Sequence, residues 1–261
     1  MKLVIQKNYK ELSRWAANYI AAKINGYQPD ENRPFVLGLP TGSTPVGTYK
    51  ELIRLNKAGE VSFSNVVTFN MDEYVNLPEN HKESYHMFMF ENFFDHIDIK
   101  PENIHILNGN AEDVEKECFD YEEKIKQTGG IHLFLGGMGA DGHLAFNVPG
   151  SPLTSRTRLV DLNYDTLVAN SRFFDNDIAK VPRQALTVGV QTVMDAKEVL
   201  IVVNGYKKAR ALQKVVEEGI NHMWTLSSLQ MHRNGIIVCD EEATMELKAG
   251  TVKYFRDSLS M

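Results

Sequence analysis

Cysteine is scarce in this sequence and long apolar runs are missing. Cys118 and Cys239 are the only thiols in 261 residues, too few for a disulfide framework or a four-ligand zinc site. The longest wholly apolar run, Val199–Val203, falls far short of the ~20 residues of a membrane span. The opening Met1–Lys7 has no stretch apolar enough for a secretory leader, so a reducing, cytoplasmic setting without membrane contact is expected. There is no excess of cations either. The 28 basic and 34 acidic residues give a net charge of −6, which argues against a general nucleic-acid binder. An anionic ligand would then need a few local cations to hold it against the overall field. No low-complexity tract, repeat or linker interrupts the chain, so a single domain over 1–261 is expected.

What is present is an alternation of helical and strand periods. Asn8-x-x-Glu11 has the form of a capping box, followed by Leu12, Trp15, Ala16, Tyr19 and Ile20 on one stripe. Gly26 is placed to end that helix. Phe35–Leu39 reads as a short buried strand, then a turn-rich segment leads to a second helix ending near Gly59. Val66–Phe69, Ile104–Leu107, Ile131–Leu135, Val199–Val203 and Ile236–Cys239 are further strand candidates. Helices are expected over 84–95, 111–127, 206–218 and 225–231. Apolar strands alternating with amphipathic helices imply an α/β fold, a mainly parallel sheet with helices on both faces. In such sheets ligands bind beyond the carboxyl ends of the strands.

Three strand exits stand out. The first, Leu39-Pro40-Thr41-Gly42-Ser43-Thr44-Pro45, offers Thr44 as N-cap and Pro45 as first helical residue. Gly42 lets backbone approach a ligand, and the free N–H groups of a helix start favour an anion such as phosphate. A capped turn without ligand reads equally well from this segment alone. It is not a Walker A loop, having no Gly-Lys-Ser/Thr. The second exit, Asn70-Met71-Asp72-Glu73-Tyr74, pairs two carboxylates. They are either solvated turn residues or, for Asp72, a general base made stronger by burial. The third, Gly136–His143, contains Gly137-x-Gly139-x-x-Gly142, formally a dinucleotide fingerprint. That fingerprint needs a helix to follow, whereas Pro149 and Pro152 come soon after. Asp141 and His143 on a glycine-framed loop suit an acid/base pair instead. Arg172 and Lys208 are candidate cations for a phosphate.

Together these segments resemble the glucosamine-6-phosphate deaminases, members of the glucosamine/galactosamine-6-phosphate isomerase family. The matching stretches are LGLPTGSTP at 37–45, VVTFNMDEYV at 66–75, ESYHMFMFENFFDHIDI at 83–99 and GGMGADGHLAFN at 136–147. SRTR at 155–158, ANSRFFDND at 169–177 and NHMWTLSSLQ at 221–230 continue the likeness nearly end to end. The Asp-Gly-His loop alone also resembles that of 6-phosphogluconolactonases. The resemblance implies a modified Rossmann-like domain that uses no metal and no organic cofactor. It places Thr41, Gly42, Ser43, Thr44, Arg172 and Lys208 on positions that hold the sugar phosphate. It places Asp72 on the base that moves a proton from C2 to C1, and Asp141 and His143 on the ring-opening machinery. The implied reaction converts glucosamine 6-phosphate and water to fructose 6-phosphate and ammonia, with a homo-oligomer, a hexamer in preference, as the assembly. A sibling phospho-sugar enzyme and a weakly catalytic phospho-sugar binder are the alternatives.

Two departures from the family pattern matter. The family normally carries Glu where this chain has Val148, and valine can neither accept nor donate a proton, so ring opening should be impaired. Ser151, Arg158 and Tyr254 match positions that bind an allosteric phospho-sugar effector in some members. Val160 and Asp161 stand where those members have Lys and Thr, so little or no activation is expected. Both cysteines read as structural thiols, and the other histidines show no ligand spacing.

Overall fold

The computed structural model describes residues 1–258, except the side chains at 165 and 169. In chain order its elements are β1 (Lys2–Gln6), α1 (Tyr9–Tyr27), β2 (Phe35–Leu39), α2 (Val46–Lys57), β3 (Val66–Asn70) and β4 (Asp72–Tyr74). Next come α3 (Tyr85–Asn92), β5 (Ile104–His105), α4 (Val114–Gln127), β6 (Leu133–Gly137), β7 (Arg158–Asp161) and α5 (Tyr164–Ser171). The chain continues through β8 (Gln184–Thr187), α6 (Val190–Met194), β9 (Glu198–Val203), α7 (Ala209–Glu217), β10 (Gly235–Asp240) and α8 (Ala249–Ser258).

Seven strands form one sheet in the order β1-β10-β9-β6-β2-β3-β5, every neighbouring pair parallel. Alternate residues of each strand enter opposite cores, as a period of two requires. Leu37, Leu135, Leu200 and Val238 pack on the α1–α2–α3 side. Val36, Phe134, Ile201 and Ile237 pack with residues of α4, α6 and α7. Apolar side chains on both faces are why these strands read as unbroken runs in the sequence. From β2 the chain moves outward to β3 and β5, then returns to β6 on the other side of β2. That reversal opens a crevice at the carboxyl ends of β2 and β6.

A second sheet, β4-β8-β7, is antiparallel and was not expected from the sequence. Its register sets Thr187 of β8 opposite Asp72 on one side and Arg158 on the other. A third apolar cluster, with Tyr74, Phe146, Leu167 and Phe174, packs around it.

Several boundaries differ from expectation. The Asn8 side chain does accept from Glu11 N–H at 3.0 Å, but α1 continues through Gly26 to Tyr27, and Gln28 takes the left-handed cap conformation (φ 53°). The helix expected over 84–95 is α3 plus a 3₁₀ turn. The segment 225–231 is 3₁₀ rather than α, and α7 is entered by a 3₁₀ turn at Tyr206–Lys208. Of the strand expected at 104–107, only Ile104 and His105 pair. No helix among the described residues is long and apolar enough to cross a membrane.

Candidate active site

The three exits singled out in the sequence, and that of β9, all lie at the carboxyl edge of the parallel sheet. At the β2 exit Gly42 has φ 98°, a conformation open to glycine but costly for a residue with Cβ. Thr44 does not cap α2. Its hydroxyl donates to Asn204 Oδ1 at 2.8 Å, and Pro45 occupies the cap position with no side-chain bond. The sequence reading is corrected here because a tertiary acceptor at the β9 exit outcompetes the local one. The Tyr9 hydroxyl braces the same turn, lying 2.9 Å from the carbonyl of Thr44 and accepting from Gly47 N–H at 2.8 Å. Among the described residues, no backbone acceptor meets the N–H groups of Gly42, Ser43 and Thr44. They remain available to an anion.

The adjacent carboxylates of the β3 exit are not solvated, and they part in role. Glu73 accepts from the N–H groups of Tyr74, Tyr85 and His86 at 2.8, 3.0 and 2.8 Å. Two of those donors belong to the first turn of α3, so Glu73 anchors that helix. Asp72 is buried, with no protein hydrogen bond to its carboxylate among the described residues. Burial, and secondarily the charge of Glu73, pushes its pKa up to about 8. Around it stand Tyr49, Tyr74, Tyr85 and Tyr121, each feeling the Asp72 charge.

At the β6 exit no helix follows, which removes the dinucleotide reading. His143 Nδ1 lies 2.6 Å from Asp141 Oδ1, a close contact that is poorly aligned for a hydrogen bond. Burial works to raise the Asp141 pKa, but the imidazole contact and charge outweigh it and hold the carboxyl below its usual value. Gly139 makes the pairing possible. A Cβ there would sit 2.4 Å from His143 Nδ1 and 2.6 Å from Asp141 Oδ1.

Lys208 closes the set. Burial lowers its pKa; the Asp141 carboxylate acts against that, and the Arg172 guanidinium adds to it. These three charges therefore share one neighbourhood. Arg172 itself is exposed, with its guanidinium 4.6 Å over the Phe173 ring. Asn204 and Gly205 link the exits: Gly205 N–H donates to both Asp240 carboxylate oxygens, at 2.9 and 3.1 Å. Asn204 and Thr187 were not foreseen from the sequence, and Glu73, one of the two adjacent carboxylates noted there, anchors a helix rather than facing solvent. Only the Asn-Gly pair after an apolar strand gave any local signal.

The effector candidates are not assembled within this chain. Ser151 is buried, and Arg158 donates to Asn147 Oδ1 at 2.8 Å. Tyr254 is 67% exposed on α8, which packs against edge strand β1. Among the described residues no group of three or more His, Cys, Asp or Glu side chains could hold a metal. Cys118 and Cys239 are buried, and burial pushes the Cys118 thiol up to about 11. A cavity of about 520 Å³ lined by Lys197, His232 and Arg233 lies at the opposite, amino-terminal end of β9 and β10 and contains none of the groups above.

A family profile described as glucosamine-6-phosphate isomerases/6-phosphogluconolactonase matches residues 7–237. The chain belongs to that family. Within it, the sequence is 67% identical over 257 residues to a glucosamine-6-phosphate deaminase of Phocaeicola vulgatus, with 98% of each chain covered. It is 65% identical to one of Parabacteroides distasonis, over 98% of this chain and 95% of that one. A solved monomeric glucosamine-6-phosphate deaminase superposes with TM-score 0.89 at 42% identity, covering 93% of this chain and 98% of that one. A 6-phosphogluconolactonase from Trypanosoma cruzi superposes at 0.73 with 19% identity, covering 95% and 97%, a likeness of fold.

Proposed function

We propose that this chain is an enzyme that converts glucosamine 6-phosphate and water to fructose 6-phosphate and ammonia. The observation that carries the reading is the convergence at one sheet edge of a buried, unpartnered carboxylate, an Asp–His pair and an anion-ready turn flanked by Lys208 and Arg172. Relatives bearing that activity by name align over nearly the whole chain, which favours it over a lactonase.

In this reading the phosphate sits on the N–H groups and hydroxyls of Thr41, Gly42, Ser43 and Thr44, with Lys208 and Arg172 as counter-charges. His143, oriented by Asp141, moves the proton between the anomeric hydroxyl and the ring oxygen as the sugar opens. The exposed aldehyde acidifies C2; Asp72 takes the C2 proton and returns it to C1. The resulting ketimine is hydrolysed, water supplying the oxygen and ammonia leaving. A carboxylate with pKa about 8 is a far stronger base than an exposed aspartate at ~3.9.

Val148 leaves His143 without the acidic neighbour of the family pattern, so ring opening is the slow step. The test is a coupled assay for fructose 6-phosphate and ammonia with the cyclic sugar. Turnover is expected, and Val148→Glu is expected to raise it at least tenfold, about the low end of one acid/base contribution divided by ten. No ammonia from the parent or the Val148→Glu variant would overturn the reading.

The working unit is proposed as one domain over 1–261 in a reducing cytoplasm, which suits two buried free thiols. It is proposed to assemble as a homo-oligomer, a hexamer in preference, which sedimentation tests. Ser151, Arg158 and Tyr254 would then form a degenerate effector site, weakened by Val160 and Asp161. Hyperbolic kinetics unchanged by millimolar N-acetylglucosamine 6-phosphate are expected.

A further inference from the structure

We propose that Thr187 and Thr225 are positioning residues for the proposed reaction, two buried hydroxyls that fix the His143 loop relative to Asp72. The proposal rests on the functional reading above. The loop after β6 has little regular structure to hold it. From Leu144 to Asn147 it folds back on itself, Asn147 N–H donating to Leu144 C=O at 3.0 Å. Ala145 takes φ 51° there, a conformation a non-glycine residue keeps only when its surroundings enforce it.

The Asn147 side-chain amide contributes, donating to the carbonyls of Leu144 and Val188 at 2.9 Å each, and two hydroxyls on other elements complete the enforcement. Thr225, in the 3₁₀ turn at Thr225–Met231, accepts from Leu144 N–H at 3.3 Å and donates to Asn147 C=O at 2.8 Å. One side chain thus clasps both ends of the fold-back. The next residue continues the grip, Leu226 N–H donating to Gly142 C=O at 3.1 Å. The chain is therefore held on both sides of His143. Thr187, at the end of β8, accepts from Phe146 N–H at 3.1 Å and donates to Val188 C=O at 3.3 Å. It is fully buried and stands opposite Asp72 in the β4–β8 register. One residue thereby touches the strand of the C2 base and the loop of the ring-opening pair.

Each hydroxyl acts as acceptor and donor at once. Valine has nearly the same shape but can do neither, and leaves a buried loop N–H without a partner. The loop relieves that loss by moving, and His143 moves with it. Because both proton transfers act on one bound sugar, a displacement of about 1 Å costs up to ~10²-fold in rate. The residues proposed to hold the phosphate, 41–44 and Lys208, are not altered by either substitution.

The experiment measures kcat and KM for glucosamine 6-phosphate in the full-length parent and in Thr225→Val, Thr225→Ser, Thr187→Val and Thr187→Ser. The valine variants are expected to lose about 10- to 100-fold in kcat with KM within about threefold. The serine variants, which keep the hydroxyl, are expected to stay within about threefold of the parent. A purely structural role would lower Tm and leave kcat alone. The proposal is overturned if folded valine variants keep kcat within twofold, or if KM rises in step with the loss. It is also overturned if serine is as damaging as valine; where a valine variant does not fold, its serine counterpart decides on that criterion. A parent that releases no ammonia overturns the functional reading and this proposal together, whereas an active parent with indifferent variants overturns only this one.

Discussion

Two buried carboxylates behave in opposite ways. Glu122, on α4, accepts from Thr157 N–H at 3.0 Å and from the hydroxyls of Thr157 and Thr192 at 2.6 Å each, and it pairs with Arg156. Burial works to raise its pKa, but these donors together hold it below the usual carboxylate value. Asp72 is equally buried and receives none of this, so its pKa rises to about 8. Glu73 lies between: three N–H donors oppose burial but do not overcome it. Burial is common to all three, and the supply of donors decides which group is spent on structure and which is kept for a proton.

The comparison can be broken most directly at Asp72. Asp72→Asn is expected to lower kcat for ammonia release by ~10²–10⁴-fold. The same change should raise Tm above the parent's at pH 9, because it removes a charge that burial disfavours. The sign follows from linkage: a folded-state pKa raised above the unfolded ~3.9 favours folding at low pH and loses that advantage as pH rises through about 8. A variant that loses stability at pH 9 would contradict the picture of an unsatisfied carboxylate.

Glu122→Ala should do the reverse. It leaves the buried donors of Thr157 and Thr192 without their acceptor, while Arg156, 42% exposed, keeps its pairing with Asp195, so a loss of about 1–3 kcal/mol is expected. Activity per folded molecule should change little, which denaturant titration alongside kcat would show.

The smallest expected effect sharpens the comparison without any mutation. With Asp72 as the base, kcat/KM should climb about tenfold per pH unit below its pKa and level off near pH 8. A limb near pH 4 would mean that Asp72 is solvated like an ordinary aspartate.

Much of this arrangement could be read from residue order. The parallel strands were legible because both of their faces are buried, so Phe35–Leu39 and Val199–Val203 appear as continuous apolar runs. The glycine-framed Asp141–His143 loop announced itself by composition. The small antiparallel sheet did not, since Asp72–Tyr74 and Arg158–Asp161 are short, mixed in polarity and paired only through the distant β8. The parting of Asp72 and Glu73 was illegible for a related reason. Neighbouring carboxylates are alike as letters, and only the approach of α3 brings Glu73 two donors beyond the N–H of the adjacent Tyr74. Thr44 has a side chain suited to capping, but the partner that claims it, Asn204, is remote in sequence.

The register that sets Thr187 between Asp72 and Arg158 also governs where this chain tolerates changes of length. Residues 162–183 join β7 to β8 outside the paired positions, so a length change confined to their exposed turns leaves that register in place. A single deletion within β8 would flip the side chains on one side of the deleted position to the opposite face and disturb the pairing of Thr187 with Asp72.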